Sequence, residues 1–152
     1  MALLLSLLWL LPCCKKEMSV SSNGDVSGLL NKVNALRKQG CQCGTDWMPA
    51  VKPLVWNNAL ALAANDHAVD MESNDYFSHI SPSGTSPIQR ALLRGYSGKY
   101  VWENIAKGYT SVQDVMDAWI ESGSHCKAMM DSMPVSMGAA DVQGYWVEEF
   151  GK

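Results

Sequence analysis

The sequence predicts an α+β fold in which helices cover both faces of a small antiparallel sheet. Three observations predict it. Four stretches repeat apolar residues at helical spacing and carry recognisable caps or stops. Two late stretches joined by a turn pair, with one earlier stretch, have the character of strands. The chain has 152 residues, of which 47% are apolar and 18% charged, enough to bury one core and too few charges for a disordered segment.

The chain divides into three parts. Residues 1–13 read as an export signal, 14–24 as a flexible tether, and 25–152 as the folded domain. Met1 to Leu11 are nearly all apolar and include seven leucines. As a helix they span roughly 16 Å, about half of a hydrocarbon core of roughly 30 Å, so they are too short for a transmembrane anchor. Leu11-Pro12-Cys13-Cys14 resembles a bacterial lipoprotein signal, which makes Cys14, followed by Lys15-Lys16-Glu17, the acylated residue and a bacterial membrane its partner. The alternative is a cleaved secretory signal with both cysteines incidental. Either reading places the domain outside the cytoplasm. The tether is polar, with Ser19, Ser21, Ser22, Asn23 and Gly24.

Within the domain, Leu29, Leu30, Val33 and Leu36 share a helical face that Gly40 terminates. A loop follows. A second helix fits Asn58 to about Asn74, capped by Asn57, with Leu60, Ala64, His67, Ala68 and Met71 as its apolar stripe. Ser86-Pro87 opens a short third helix that Gly95 ends. Thr110 and Gln113 form a capping box for a fourth, whose core face is Val112, Val115, Met116, Trp119 and Ile120. Ser136–Val142 and Tyr145–Phe150 read as a hairpin around Gln143-Gly144, and Tyr100 to Ile105 supplies a third strand.

The 12 basic and 15 acidic side chains give a net charge of −3, and the basic ones are scattered, which argues against a nucleic-acid binder. No phosphate-cradling loop, nucleotide-binding glycine fingerprint, zinc-ribbon CxxC pair or fixed-period repeat is present. Outside the signal region there are three cysteines. Cys41 and Cys43 are too close in sequence to bridge each other easily. Either one with Cys126 closes a loop worth roughly 4–5 kcal/mol in the chain-entropy model, and three free thiols are the alternative.

The chemistry-bearing residues are few. His67 sits in an apolar helical stripe and reads as a core or rim histidine. His79 and His125 lie in loop-like, small-residue contexts. Glu121 precedes His125 by four residues, so the two share a face only if the helix runs through Gly123. Glu103 lies in the apolar stretch Val101-Trp102-Glu103-Asn104-Ile105, where an isolated carboxylate is costly to bury and needs a partner. Spacing alone does not bring these residues together.

Six segments in order resemble the bacterial branch of the CAP superfamily (cysteine-rich secretory proteins, antigen five and pathogenesis-related proteins). They are Pro53-Leu54-Val55-Trp56-Asn57, Ala63 to Met71, Tyr76-Phe77-Ser78-His79, Glu103 to Gly108, Trp119 to Cys126, and Tyr145 to Gly151. The resemblance implies an α-β-α sandwich around a small three-stranded antiparallel sheet. It also implies a cleft where His79, Glu103, Glu121 and His125 meet. Such a donor set suits zinc or another divalent metal, weakly held, with His79 and His125 as ligands and Glu103 and Glu121 as ligands or as partners that orient the rings. The match at Cys43-Gly44 implies a Cys43–Cys126 bridge. Two departures stand out: Gly123-Ser124 replaces the usual Pro-Gly before His125, and Ala128 replaces a usual Asn.

Three function classes follow. The first is an exported binding module for a lipid, sterol, glycan or protein, to which the methionines between Met129 and Met137 could lend adaptable surface or simply core packing. The second is a metal-assisted hydrolase of peptide or cell-wall bonds with Glu103 or Glu121 as base. The third is a structural envelope protein. The sequence favours the binding module over the enzyme, since it carries no HExxH and no GxSxG elbow.

Overall fold

The computed structural model describes residues 26–152. The signal, the tether and the acylation candidate Cys14 lie outside the described residues.

Eleven elements follow one another: α1 (Ser27–Gln39), β1 (Cys41–Cys43), β2 (Asp46–Met48), β3 (Val55–Trp56), α2 (Asn58–Ser73), α3 (Pro87–Leu93), β4 (Val101–Lys107), α4 (Val112–Glu121), α5 (Gly123–Met130), β5 (Ser136–Val142) and β6 (Tyr145–Gly151). Local chemistry sets most of their ends. The Asn57 side chain accepts from the amides of Ala59 and Leu60 at the start of α2. Gln89 Oε1 accepts from the Ser86 amide at 2.9 Å, ahead of Pro87 in α3. In the β5–β6 turn, Gln143 and Gly144 both have positive φ, 53° and 81°, the geometry that suits a two-residue hairpin.

Four strands form the main sheet in the order β3-β5-β6-β4. β5–β6 and β4–β6 are antiparallel. This corrects the three-stranded antiparallel expectation, because β3 adds a fourth strand, parallel to β5. Two residues cannot show an alternating pattern. β3 is held by backbone bonds at its ends, from Val55 N to Val135 O (3.1 Å) and from Asn57 N to Met137 O (2.8 Å). β1 and β2 form a separate two-stranded hairpin.

The helix count is also corrected, from four to five. Gly123 does stop α4, but Ser122 takes extended angles and a new helix, α5, begins at once. His125 is therefore in the first turn of a helix and not in a loop. The cap of α4 shifts by one residue: Ser111, not Thr110, accepts from the Asp114 amide at 3.2 Å.

Alternation along the strands builds two cores. On one face, Ile105, Ala140, Tyr145 and Val147 pack against Ala64, Ala68 and Met71 of α2. On the other, Ala106, Met137, Ala139, Trp146 and Phe150 pack against Leu29 and Val33 of α1, Val115, Met116 and Trp119 of α4, and Met129 of α5. Each buried Val, Leu, Ile, Met or Phe among them contributes about 1.5–3 kcal/mol of burial. Both buried indoles find acceptors, Trp119 at Ile105 O (3.4 Å) and Trp146 at Tyr109 O (2.8 Å). Met129, Met130 and Met137 are fully buried, so most of the methionine run fills the core; Met133 is exposed. The helix α2 lies so close to β5 that a Cβ on Gly138 would stand 2.1 Å from the Ala61 amide nitrogen. Sheet and helices thus form an α-β-α sandwich with β4 at the sheet's edge.

Candidate functional site

Consecutive residues of a strand point to opposite faces. In β4 this sends Glu103 toward the α2–α3 layer and Asn104 toward the α5 layer. Each then holds one histidine segment. Glu103 Oε1 accepts from His79 Nδ1 at 2.8 Å. Asn104 Nδ2 donates to the His125 carbonyl at 3.1 Å and to Glu148 Oε2 at 3.3 Å. The two imidazoles therefore reach the edge of β4 from opposite layers.

The His79 side is a buried ionic network. The Glu103 side chain is 1% exposed, against 50% for His79. Its second oxygen accepts from the Arg90 guanidinium at 2.5 Å. Arg90, on α3, also donates to the carbonyls of Thr85 (3.0 Å) and His79 (3.2 Å), fixing the His79 loop by its backbone. His67 on α2 is wholly buried; its Nε2–H donates to Ser78 O at 2.9 Å and lies 3.8 Å from Glu103. Burial pushes its pKa down, partly offset by Glu103. Directly opposite Glu103 in the ladder is Glu149, buried, with Arg90 Nε 3.8 Å away. Neither Glu149 oxygen has a hydrogen-bond partner. Burial first, and then the Glu103 charge, push its carboxyl well above the usual range, with Arg90 pulling the other way. Two carboxyl groups thus share one guanidinium.

The His125 side is neutral and covalent. His125 Nδ1 meets Ser122 Oγ at 2.9 Å. Burial, and then the nearby charge of His79, lower the His125 pKa. The next residue, Cys126, is joined by a disulfide to Cys43. Glu148 faces this layer, fully buried, with its pKa raised by desolvation to about 8 and lowered somewhat by Asn104.

Of the four residues expected to meet, His79 and Glu103 touch, and His125 approaches His79 closely enough for their charges to interact. Glu121 ends α4, is exposed, and makes no side-chain hydrogen bond or ion pair among the described residues. Among those residues, the group of three acid, imidazole or thiol donors closing to within 4.8 Å is Cys41, Cys43 and Cys126, so no three of His79, Glu103, Glu121 and His125 reach that spacing. Sequence reasoning missed Arg90, Glu149, Asn104 and the contact of His67 with the cluster. A signal existed for one of them: Glu148-Glu149 sits in the apolar run Tyr145 to Phe150, and a buried strand carrying carboxylates demands a cation. Nothing in the short α3 segment marked Arg90 as its source.

The sequence model of the CAP (cysteine-rich secretory protein) family matches residues 30–150. The chain is 32% identical over 143 residues to the uncharacterized protein YkwD of Bacillus subtilis strain 168, covering 90% of this chain and 52% of that protein. It spans about half the length of that curated relative. In three dimensions it is similar to an extracellular SCP-domain protein of Bacillus anthracis strain Ames, with a TM-score of 0.76 at 22% identity, over 86% of this chain and 41% of that one. It is similar also to an outer surface protein of Borrelia burgdorferi, with a TM-score of 0.71 at 24% identity, over 84% and 92%. At these identities the structural likeness is one of fold. No helix among the described residues is long and apolar enough to cross a membrane.

Proposed function

The chain belongs to the CAP family of cysteine-rich secretory proteins, and on that premise we propose that it is an exported binding module of the cell envelope whose cleft, at the β4 edge, holds a divalent cation between His79 and His125. The observation that carries this reading is the way each ring is oriented. His79 Nδ1 is committed to Glu103 and His125 Nδ1 to Ser122, which leaves Nε2 of each imidazole free as a donor. Two imidazoles suit zinc, and a carboxylate behind one of them sets its tautomer and orientation. Glu103 then acts through His79. With one oxygen on His79 and the other on Arg90, it is poorly placed as a general base for hydrolysis. Glu121 stands outside the ligand set. A two-imidazole site with remaining positions open to water binds modestly. Phe77 and Ile80, close to His79 in sequence, are each about half exposed, which supports an amphipathic ligand.

An extracytoplasmic location is supported by the signal-like first 13 residues and by the extracellular and outer-surface relatives. In this reading Cys14 is acylated and ties the domain to the membrane; a Cys14→Ser chain that stays in the membrane fraction overturns that part.

Calorimetry with zinc tests the cleft. The wild type takes up one ion, His79→Ala/His125→Ala does not, and uptake fades as pH falls, because protons compete with the metal for the ring nitrogens. Equal binding by the two proteins overturns the reading.

A further inference from the structure

We propose that Cys41, Cys43 and Cys126 form a second, redox-gated site: once the Cys43–Cys126 disulfide is reduced, the three thiolates hold one thiophilic d10 cation, zinc or copper(I). The site shares no ligand with the histidine pair.

The backbone brings the three sulfurs together. Cys41 and Cys43 are two apart in β1 and so lie on one face of the strand. Cys126, in the first turns of α5, meets that face. Cys41 Sγ is 3.6 Å from Cys43 Sγ and 3.6 Å from Cys126 Sγ. Equal distances place the thiol side-on to the disulfide. Displacement at sulfur runs along the S–S axis, so this position is poor for exchange within the chain. It is good for a cradle, because zinc–thiolate bonds of about 2.3 Å in a tetrahedron set neighbouring sulfurs roughly 3.8 Å apart.

The frame has supports besides the disulfide. The β1–β2 ladder fixes Cys41 opposite Met48 and Cys43 opposite Asp46. The start of α5 is seated on the hairpin turn, where a Cβ on Gly123 would stand 3.5 Å from Gly44 Cα. The shell around the sulfurs is apolar and soft, with Met130, Met48, Leu36 and Val51 packed against them. Thioethers and thiolates select soft cations. Met48 and Met130 also line a surface hollow of about 340 Å³, and Cys41 is only half-buried, so an ion has an approach.

The chemistry balances with an external dithiol as reductant. One of its thiolates attacks a sulfur of the Cys43–Cys126 bond, and its second thiol resolves the mixed disulfide. The dithiol leaves oxidised by two electrons, and its two protons pass to Cys43 and Cys126. One cation then displaces the protons of the three thiols.

In a Cys13→Ser/Cys14→Ser background, taken as wild type so that only the three domain cysteines carry thiols, the full chain, oxidised and phosphine-reduced, is titrated anaerobically with cadmium as the probe while thiolate-to-metal charge-transfer absorption and near-ultraviolet circular dichroism are followed. The reduced wild type develops the band to one equivalent with its aromatic dichroism folded or restored by the metal, and the oxidised protein does not. Reduced Cys41→Ser binds more weakly by more than about tenfold. Reduced His79→Ala/His125→Ala keeps the band, which separates this site from the cleft. The proposal is overturned by a reduced wild type without the band, by Cys41→Ser binding as tightly as wild type, or by a band that forms on a chain whose aromatic dichroism stays lost.

Discussion

His79 and His125 reach the same edge strand from opposite layers, and each is secured by different means. On the His79 side, Arg90 gathers Glu103, the His79 carbonyl and the neighbourhood of Glu149 into a buried ionic cluster. On the His125 side, a neutral hydroxyl orients the ring and a disulfide ties its helix to β1. The His79 segment is thus held by charge and the His125 segment by a bond that reduction breaks, although both rest on two adjacent residues of β4.

Three substitutions probe the two sides separately. The largest effect belongs to Cys126→Ser, which opens a loop between residues 83 positions apart and lowers unfolding free energy by roughly 4 kcal/mol in urea. Amide exchange then accelerates in β1 and α5 well ahead of α3; equal acceleration in α3 erases the contrast. Next is Arg90→Met, which leaves two buried carboxyl groups with no cation and costs about 3 kcal/mol at pH 7. With that cation gone, the folded carboxyls take up protons more readily than the unfolded ones, so the deficit shrinks as pH falls toward 5. A pH-independent deficit, measured by urea titration at both values, contradicts the charge-sharing account.

The smallest effect, on the His125 side, is Glu148→Gln. The folded pKa of Glu148, about 8, lies above its ordinary value of 4.5. Its native state therefore binds more protons than the unfolded state between those values. The contribution is fully present below 4.5 and is lost as pH rises toward 8. Removing the carboxyl flattens a decline of about 1 kcal/mol per pH unit, read from thermal unfolding between pH 5 and 8. An unchanged slope means that Glu148 is already ionised in the folded protein.

How far the sequence discloses all this depends on the range of the forces involved. Asn57, Ser86-Pro87 and the Gln143-Gly144 turn act over two or three residues, and they mark the helices and the hairpin where the structure has them. The strand β3 is two residues long and depends on a partner 81 residues later, so no local pattern announces it. Gly123 was legible as a break, but that a new helix starts there depends on the seat offered by the β1–β2 turn. In the site, Glu103 stood out because an isolated carboxylate in an apolar stretch demands a partner. The identity of that partner, Arg90, is a matter of how α3 lies on the sheet. The meeting of His79 with His125 was inferred from family resemblance, and no spacing rule supplies it.

One consequence follows from the neighbouring positions of Glu103 and Asn104. Their Cα atoms are fixed about 3.8 Å apart by the peptide bond, so β4 works as a ruler between the two helical layers. A slip of its ladder by one residue exchanges the faces of both side chains and disconnects both histidine segments in a single event. The pair of histidine segments consequently has no half-assembled form along that coordinate: β4 in register seats both together, and β4 out of register releases both.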